Sequence, residues 1–499
     1  MSINPRTSGS RTLRRVAWVG FFVLGLVAVT WAIASIRIDE VFTAHAQDTG
    51  NMWQTMWNVG HGHGFTMTFS NTGEQVSRLA IHADYLLILL APLSWFATSD
   101  ALVALQALAA VAGAWFLWSA VIAITSRPSL GYALAAGYLL SGAVVYPVLW
   151  QVHPVTFLFL FGLAGIEAIV LRRRAWVLVM WFGLALITKE NVGFLIGPIW
   201  WYFLRAYDRR RLAWWLLGIG LAWSTAHFAW FIPAARTDGT NHFAWAMYYG
   251  SLGETPGEIL RRLLQGGELG WRLMRPDHVV TALAMILPMV GLACLSPVAL
   301  LALPALLPHW LSDTKTVHTI FHIAHVPAMV VLLIAGLDGL RRWRRIAQWR
   351  WLPLAVILGS VAMSVAMSPY PWSWQWQPEM WTRDPGRMSV LAQRQLLPPT
   401  ASVSFTRELG PQWRSYEYSA LFPQAWMSVE YIVLHEPVWW NQQPNTDKTV
   451  YQWYREFLDR SVAFERLYQS GTDRIYRRIP GSQLESVPGE YLPGTYNFY

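Results

Sequence analysis

Residues 16–36 read VAWVGFFVLGLVAVTWAIASI, an uncharged apolar run. At about 1.5 Å per residue, a helix of roughly 20 residues crosses a hydrocarbon layer about 30 Å thick. The run is a membrane span. The basic segment before it, MSINPRTSGSRTLRR, has the charge of a secretory signal, but the apolar run is too long and lacks a small-x-small cleavage site. We therefore read a retained first helix. The rest of the 499 residues agrees, with 54% hydrophobic residues, 13% charged residues and a mean hydropathy of +0.29; soluble domains carry about 25% charged residues. The fold class is an α-helical polytopic membrane protein.

Short loops rich in Lys and Arg stay in the cytoplasm, and basic clusters occur at residues 11–15, 172–174, 205–211 and 341–345. The number of crossings between successive clusters must then be even. Between the first two lie apolar candidates at 16–36, 85–96, 101–125, 130–150 and 155–171, one too many. Segment 85–96, at about 12 residues, is too short to cross, so it predicts an interfacial helix on the outer face. The same parity splits 175–204 into short helices at 175–188 and 191–204 that meet near the outer leaflet at Lys189 and Glu190. Runs at 212–233, 279–294, 297–310, 322–340 and 351–368 complete about eleven crossings, with the amino terminus inside and the carboxyl terminus outside. Residues 1–368 thus form a transmembrane domain with an external first loop at 37–100, and 369–499 a small extracytoplasmic α/β domain.

The segment from 369 onward holds 12 Lys plus Arg and 13 Asp plus Glu, against 26 and 16 before it. The basic pI of about 9.7 therefore reports contact of the membrane half with anionic lipid, not a nucleic-acid surface. Prolines 398, 399, 411 and 423 and the apolar run Tyr431–Leu434 punctuate the tail as a compact α/β unit. The single cysteine, Cys294, falls in a predicted span, which leaves no disulfide for the external part.

This topology places His45, His61, His63, His82, His153, His242, His278, His309, His318, His322, His325 and His435 outside or at outer helix ends, and none in the cytoplasm. Ionisable groups gathered at membrane depth are costly and mark function more often than packing. Asp48 lies in AHAQDTGNMWQTMWNVGHGHG (44–64), directly after the first span. It is either the cap of a helix at 51–57 or a general base whose basicity Trp53 and Trp57 raise by excluding water. His82 and Asp84 head the interfacial helix, where a His-x-Asp pair caps, binds a divalent metal or positions a hydroxyl. Lys189 and Glu190 interrupt an apolar run, as a structural ion pair or as a phosphate contact through the Lys189 ammonium. His153, before Pro154, reads first as a helix stop. His318, His322 and His325 share a face only if their helix begins early, and no HExxH accompanies them, so no metal ligands are assigned.

QDTGNMWQTMWNVGHGHG (47–64), RLAIHADYLLILLAPLSWF (78–96), VLWQVHPVTF (148–157) and LITKENVGFLI (186–196) resemble the successive signature segments of a bacterial membrane-protein family of unknown function. That family shows an aromatic-Asp-Leu-Gly run followed by Gln and Trp, a His before a Pro-containing apolar helix, Phe-His-Pro, and Lys-Glu-Asp. The match is good from about Thr43 to Arg211, and weaker at 321–337 and 401–423. This chain departs with Gln47 before the Asp, Thr49 for Leu, Val152 for Phe and Asn191 for Asp; the acidic, His and Lys positions remain.

The family is distantly similar to the GT-C glycosyltransferases, multispan enzymes with a carboxylate in the first external loop and often an external carboxyl-terminal domain. The resemblance implies a bacterial inner-membrane enzyme that moves a sugar from a polyprenyl phosphate to an acceptor on the outer face. On it, Asp48 is the base and His82 orients the acceptor or helps hold a metal. Lys189 stabilises the leaving lipid phosphate, while Glu190, His153, Gln54, Trp57, Asp84 and His322 line the substrate. A divalent metal cofactor stays open, protein partners are unassigned and no nucleic acid is expected. Two other readings remain: a transporter or flippase of lipid-linked precursors, which also uses broken helices, and a non-catalytic scaffold in which the 31 tryptophans only anchor the interface.

Overall fold

The computed structural model describes residues 9–41, 48–69, 72–236, 248–253, 255–265, 268–382, 384–436 and 446–492. His45, Gln47 and His242 lie outside the described residues. The architecture is mostly helical. The first helix, Gly9–Val41, turns Phe22, Val23, Leu26, Val29 and Ile33 outward, and Arg210–Ala226 does the same with Trp214, Trp215 and Ile219. Large apolar side chains exposed in rows are the mark of lipid contact. Val326–Arg342, by contrast, is buried along most of its length and runs through the bundle centre.

Four segments, Phe22–Asp39, Ser99–Thr125, Arg210–Ala235 and Lys315–Arg342, are long and apolar enough to cross a membrane. A fifth appears if the bent pair Pro128–Leu140 and Gly142–Trp150 counts as one. The other apolar helices run 10–17 residues; the expected count of about eleven includes these shorter helices, while length and composition alone admit four or five spans among the described residues. The expected single span at 130–150 is bent by 50°. Extended Ser141 breaks the helix, and Gly142 lies so close to Met367 that a Cβ there would sit 1.9 Å from its carbonyl oxygen. Parity foresaw the break after 188: helices Ala175–Leu186 and Val192–Ala206 flank Lys189 and Glu190. Segment 85–96 forms Leu86–Leu90 and a 3-10 turn Ala91–Trp95, with Leu89, Trp95 and Phe96 exposed. The central helix begins only at Val326, followed by Pro327, so His318 and His325 end 3-10 turns, extended His322 caps the second, and the three do not share one helical face.

The bundle has two chemically distinct ends. Helix Leu158–Val170 runs from His153 towards Arg172, Ala175–Leu186 returns to Lys189, and Val192–Ala206 goes back to Arg205. At the arginine end, Arg209 donates to the Arg172 carbonyl at 2.9 Å, and Arg341 and Arg342 both grip buried Asp338. Arg127 joins this end by donating to the carbonyls of Ala347 and Trp349 at 2.6 and 2.9 Å.

At the other end the first loop folds as helix Asp48–Gly60 and an antiparallel hairpin, β1 (Thr66–Thr68) with β2 (Gln75–Ser77). A five-stranded sheet follows late in the chain: β3 (Val403–Phe405), β4 (Ser419–Leu421), β5 (Tyr431–Leu434), β6 (Phe464–Ser470) and β7 (Asp473–Arg478), in the order β4-β3-β5-β7-β6. β5 is parallel to β3 and antiparallel to β7. Its run YIVL is apolar throughout because both faces are buried. Tyr431 and Val433 join a cluster with Phe405 and Trp413, while Ile432 and Leu434 join one with Trp426 and Tyr454.

The sheet segment is fastened to the first loop. Trp53 Nε1 donates to Ser415 Oγ at 2.8 Å, and Gln54 Nε2 to Thr68 Oγ1 at 2.9 Å and the Glu417 carbonyl at 3.1 Å. Arg414 Nη1 donates to Gln54 Oε1 at 3.3 Å.

Candidate active site

The site is built around Gln106, an amide in the apolar helix Ser99–Thr125. Its Nε2 donates to the carbonyls of Val148 and Gln151 at 2.9 and 2.8 Å, and its Oε1 accepts from the His153 backbone N–H at 2.9 Å and from the Thr156 hydroxyl. One buried amide thus closes one helix end and opens the next, where backbone groups have no helical partner. The Thr49 hydroxyl accepts from the Val152 N–H at 3.0 Å, bringing the first turn of Asp48–Gly60 alongside. Asp48 Oδ2 then lies 3.9 Å from His153 Nε2, its side chain 41% exposed and that of His153 13%.

Burial first, and then the Lys189 ammonium and the Arg78 guanidinium, hold the His153 imidazole well below its ordinary pKa. His153 is therefore neutral near pH 7, and its contact with Asp48 is a dipolar one. Tyr248 is on the same group: burial first and the Asp48 carboxylate second push its hydroxyl up, so it stays a donor.

His82 Nδ1 meets Glu190 Oε1 at 3.0 Å, Glu190 Oε2 accepts from the Ala83 N–H at 3.1 Å, and the Leu86 N–H donates to the Ile187 carbonyl at 2.9 Å. Burial opposes the Glu190 charge, but His82 and Lys189 outweigh it and hold the carboxyl below the usual range. Glu190 is consumed in pinning the helix break to the first loop. Asp84 is likewise engaged: it is 2% exposed and ion-paired with buried Arg78, whose Nε donates at 2.9 Å.

Lys189 differs from both. It is half-buried, and among the described residues its ammonium makes no hydrogen bond or ion pair. His153, His309 and His322 lie within its electrostatic reach. His322 Nδ1 accepts from the Ala324 N–H at 3.1 Å, which leaves Nε2 of the neutral ring as a donor. The ammonium thus lies beside imidazoles, with the neighbouring Glu190 carboxylate feeling its charge but not bonded to it.

The structure therefore brings Asp48, His153, Lys189, His82, Glu190 and His322 to one end of the bundle. Gln54 stands apart, fully buried against the sheet segment, and Trp57 stacks on His61 and His63 with centroids at 4.1 and 5.6 Å. The residues that could share a metal ion among those described are Asp277, His278 and His318, and His82 is not one of them.

The profile of a family described as a predicted membrane protein, DUF2079, matches residues 40–456. The chain belongs to this family. The match runs well past Arg211, so it takes in the first loop, the Lys189 break and the sheet through β5. No curated protein sequence matches the chain. Among solved structures, ArnT from Cupriavidus metallidurans bound to undecaprenyl phosphate superposes with a TM-score of 0.49 at 11% identity, over 93% of this chain and 98% of that one. The Archaeoglobus fulgidus oligosaccharyltransferase in complex with Zn and sulfate gives 0.41 at 10% identity, over 91% and 73%. Both are GT-C glycosyltransferases; at TM-scores below 0.5 these superpositions transfer no residue roles.

Gln106, Arg78, His309 and Tyr248 belong to the site or its frame without being singled out by sequence. Gln106 carried a usable signal, a lone amide in an otherwise apolar run. Tyr248 carried none, since only the fold sets it near Asp48.

Proposed function

We propose that this protein is a GT-C-like membrane glycosyltransferase that moves a sugar from a polyprenyl-phosphate donor to an acceptor hydroxyl on the extracytoplasmic face. The observation that carries the reading is the pairing of unlike charges about His153: a half-exposed carboxylate, Asp48, on one side and the unengaged ammonium of Lys189 within reach of the other. Transfer from a lipid phosphate needs those two groups. Asp48 takes the proton of the acceptor hydroxyl as its oxygen attacks the anomeric carbon; the bond from that carbon to the phosphate oxygen breaks, and the electron pair leaves with the lipid phosphate. Lys189 and the His322 Nε2–H stabilise the charge developing on that phosphate, the kind of preorganised contact worth about 10²–10³ in rate. Neutral His153 orients the hydroxyl without competing for the Asp48 proton. The helix break between them opens at the end of an apolar bundle, where a lipid carrier has its headgroup.

A transporter needs polar groups on a path between both ends. The central helix Val326–Arg342 offers only apolar side chains until Asp338, which Ser296, Tyr202 and two arginines satisfy.

The test is sugar transfer in membranes supplied with isotopically labelled polyprenyl-phosphate sugars. Asp48→Asn is expected to abolish transfer with insertion and expression unchanged. Normal transfer by that variant overturns the assignment.

A further inference from the structure

A second polar cluster lies outside the Asp48–Lys189 group. Helix Pro276–Ile286 starts with a proline after extended Arg275, which sets Asp277 and His278 in its first turn. His318 ends the 3-10 turn Lys315–His318, and the Thr281 hydroxyl holds its carbonyl at 2.8 Å. One donor atom from each of Asp277, His278 and His318 falls within 4.8 Å of the others.

The hydrogen-bond inventory of His318 is decisive. Its Nε2 lies 2.9 Å from the Ser312 carbonyl; a carbonyl only accepts, so Nε2 carries the hydrogen. Nδ1 of the neutral ring then aims a lone pair at Asp277 Oδ2, 3.2 Å away. Two acceptors face each other, and a positive charge must lie between them. A proton on His318 answers that requirement alone, but it does nothing for His278.

His278 is 1% exposed, lies flat on Trp310 with centroids 5.0 Å apart, and meets His318 edge-on at 4.7 Å. Neither of its ring nitrogens makes a well-formed hydrogen bond; the Leu273 backbone is within reach of one of them, which leaves the other buried without a partner. A metal ion satisfies both histidines and the carboxylate together.

We propose that Asp277, His278 and His318 form a binding site for a divalent transition-metal ion of the zinc class. Two imidazole nitrogens and one carboxylate oxygen are the donor set such ions take in tetrahedral sites, with the fourth position left for water. Arg275 orients the carboxylate from behind, with Nε on Oδ1 and Nη2 on Oδ2, both at 3.2 Å. An open recess of about 490 Å³, lined by Trp271, Arg275, Pro276 and Asp277, reaches the carboxylate of the trio. The bound ion staples helix Pro276–Ile286 to the segment that leads through His325 into the central helix. The site does not depend on the glycosyl-transfer reading.

The experiment uses the full-length protein in detergent, stripped with EDTA and dialysed against Zn²⁺ or Co²⁺. The wild type is expected to retain about one ion per chain, to show the visible absorption of tetrahedral Co²⁺, and to unfold at a higher temperature with Zn²⁺ than without. His278→Gln and His318→Gln are each expected to lose the bound ion and the Zn²⁺-dependent shift, while His61→Gln, at an exposed site, keeps both. Size-exclusion profiles check that the variants fold. No retained ion in the wild type, or equal retention in both site variants, overturns the proposal; the wild-type stoichiometry decides it even where a variant fails to fold.

Discussion

Lys189 and Glu190 are neighbours in sequence with opposite fates. Glu190 is 5% exposed and bound by His82, whereas the Lys189 ammonium has no ion pair among the described residues. The nearby Arg78 is taken up by Asp84, so Lys189→Met is expected to lower the transfer rate about 100-fold or more, with Lys189→Arg retaining part of it. Equal rates for wild type and Lys189→Met would remove Lys189 from the chemistry. His435 makes a prediction at the same scale. Its Nδ1 lies 3.0 Å from Asp473 and its Nε2 3.3 Å from Asp384. Burial opposes its charge, but the two carboxylates raise its pKa from 6.5 to about 9. A folded-state pKa above the unfolded one gives stability that is fully present below pH 6.5 and lost as pH rises through about 9. Thermal unfolding of the sheet segment is expected to fall across that window, and His435→Gln to flatten the dependence; an unchanged slope in the variant sinks this account.

Among the elements, helices Val192–Ala206 and Arg210–Ala226 approach backbone to backbone. A Cβ on Gly193 would sit 2.1 Å from the Gly220 carbonyl oxygen and 2.7 Å from Ser224 Oγ, a contact that only small residues permit in a membrane bundle. Gly193→Ala must push the helix away, costing about 1–3 kcal/mol and moving Lys189 at its head. We expect both a lower unfolding temperature and slower transfer, while Gly183→Ala, with open space around it, changes neither. The break beside Gly193 was legible in sequence because two charges in an apolar run cannot lie mid-bilayer at low cost. The bend at Ser141 was not. There Gly142 packs against the Met367 carbonyl, a neighbour that only the fold brings alongside. The late start of the central helix at Val326 had a signal in Pro327, but the His318 to His325 spacing pointed the other way.

For the whole molecule, the arginine end and the Asp48 end follow from helix direction, and we propose from the positive-inside tendency that the first faces the cytoplasm. With exposed Cys294 replaced, a single cysteine at Arg344 is expected to react with an impermeant thiol reagent only from the cytoplasmic side. One at exposed Gly471, in the turn between β6 and β7, is expected to react only from the outside. Labelling of both from one side would invert or fold back the topology.

The sequence alone determined that the chain lives in a membrane, that an apolar run breaks at Lys189 and which charges are out of place, because hydropathy sums over neighbours and a stray charge in lipid stands out locally. The tertiary structure decided which charges are already engaged. Asp84 was given to Arg78 and Glu190 to a histidine 108 positions away, and Gln54 to the sheet segment, 363 positions on. Lys189 was left without an ion pair among the described residues, and Asp48 set beside His153. Pairing is decided by distance across the folded chain, and no local pattern of residues encodes that distance.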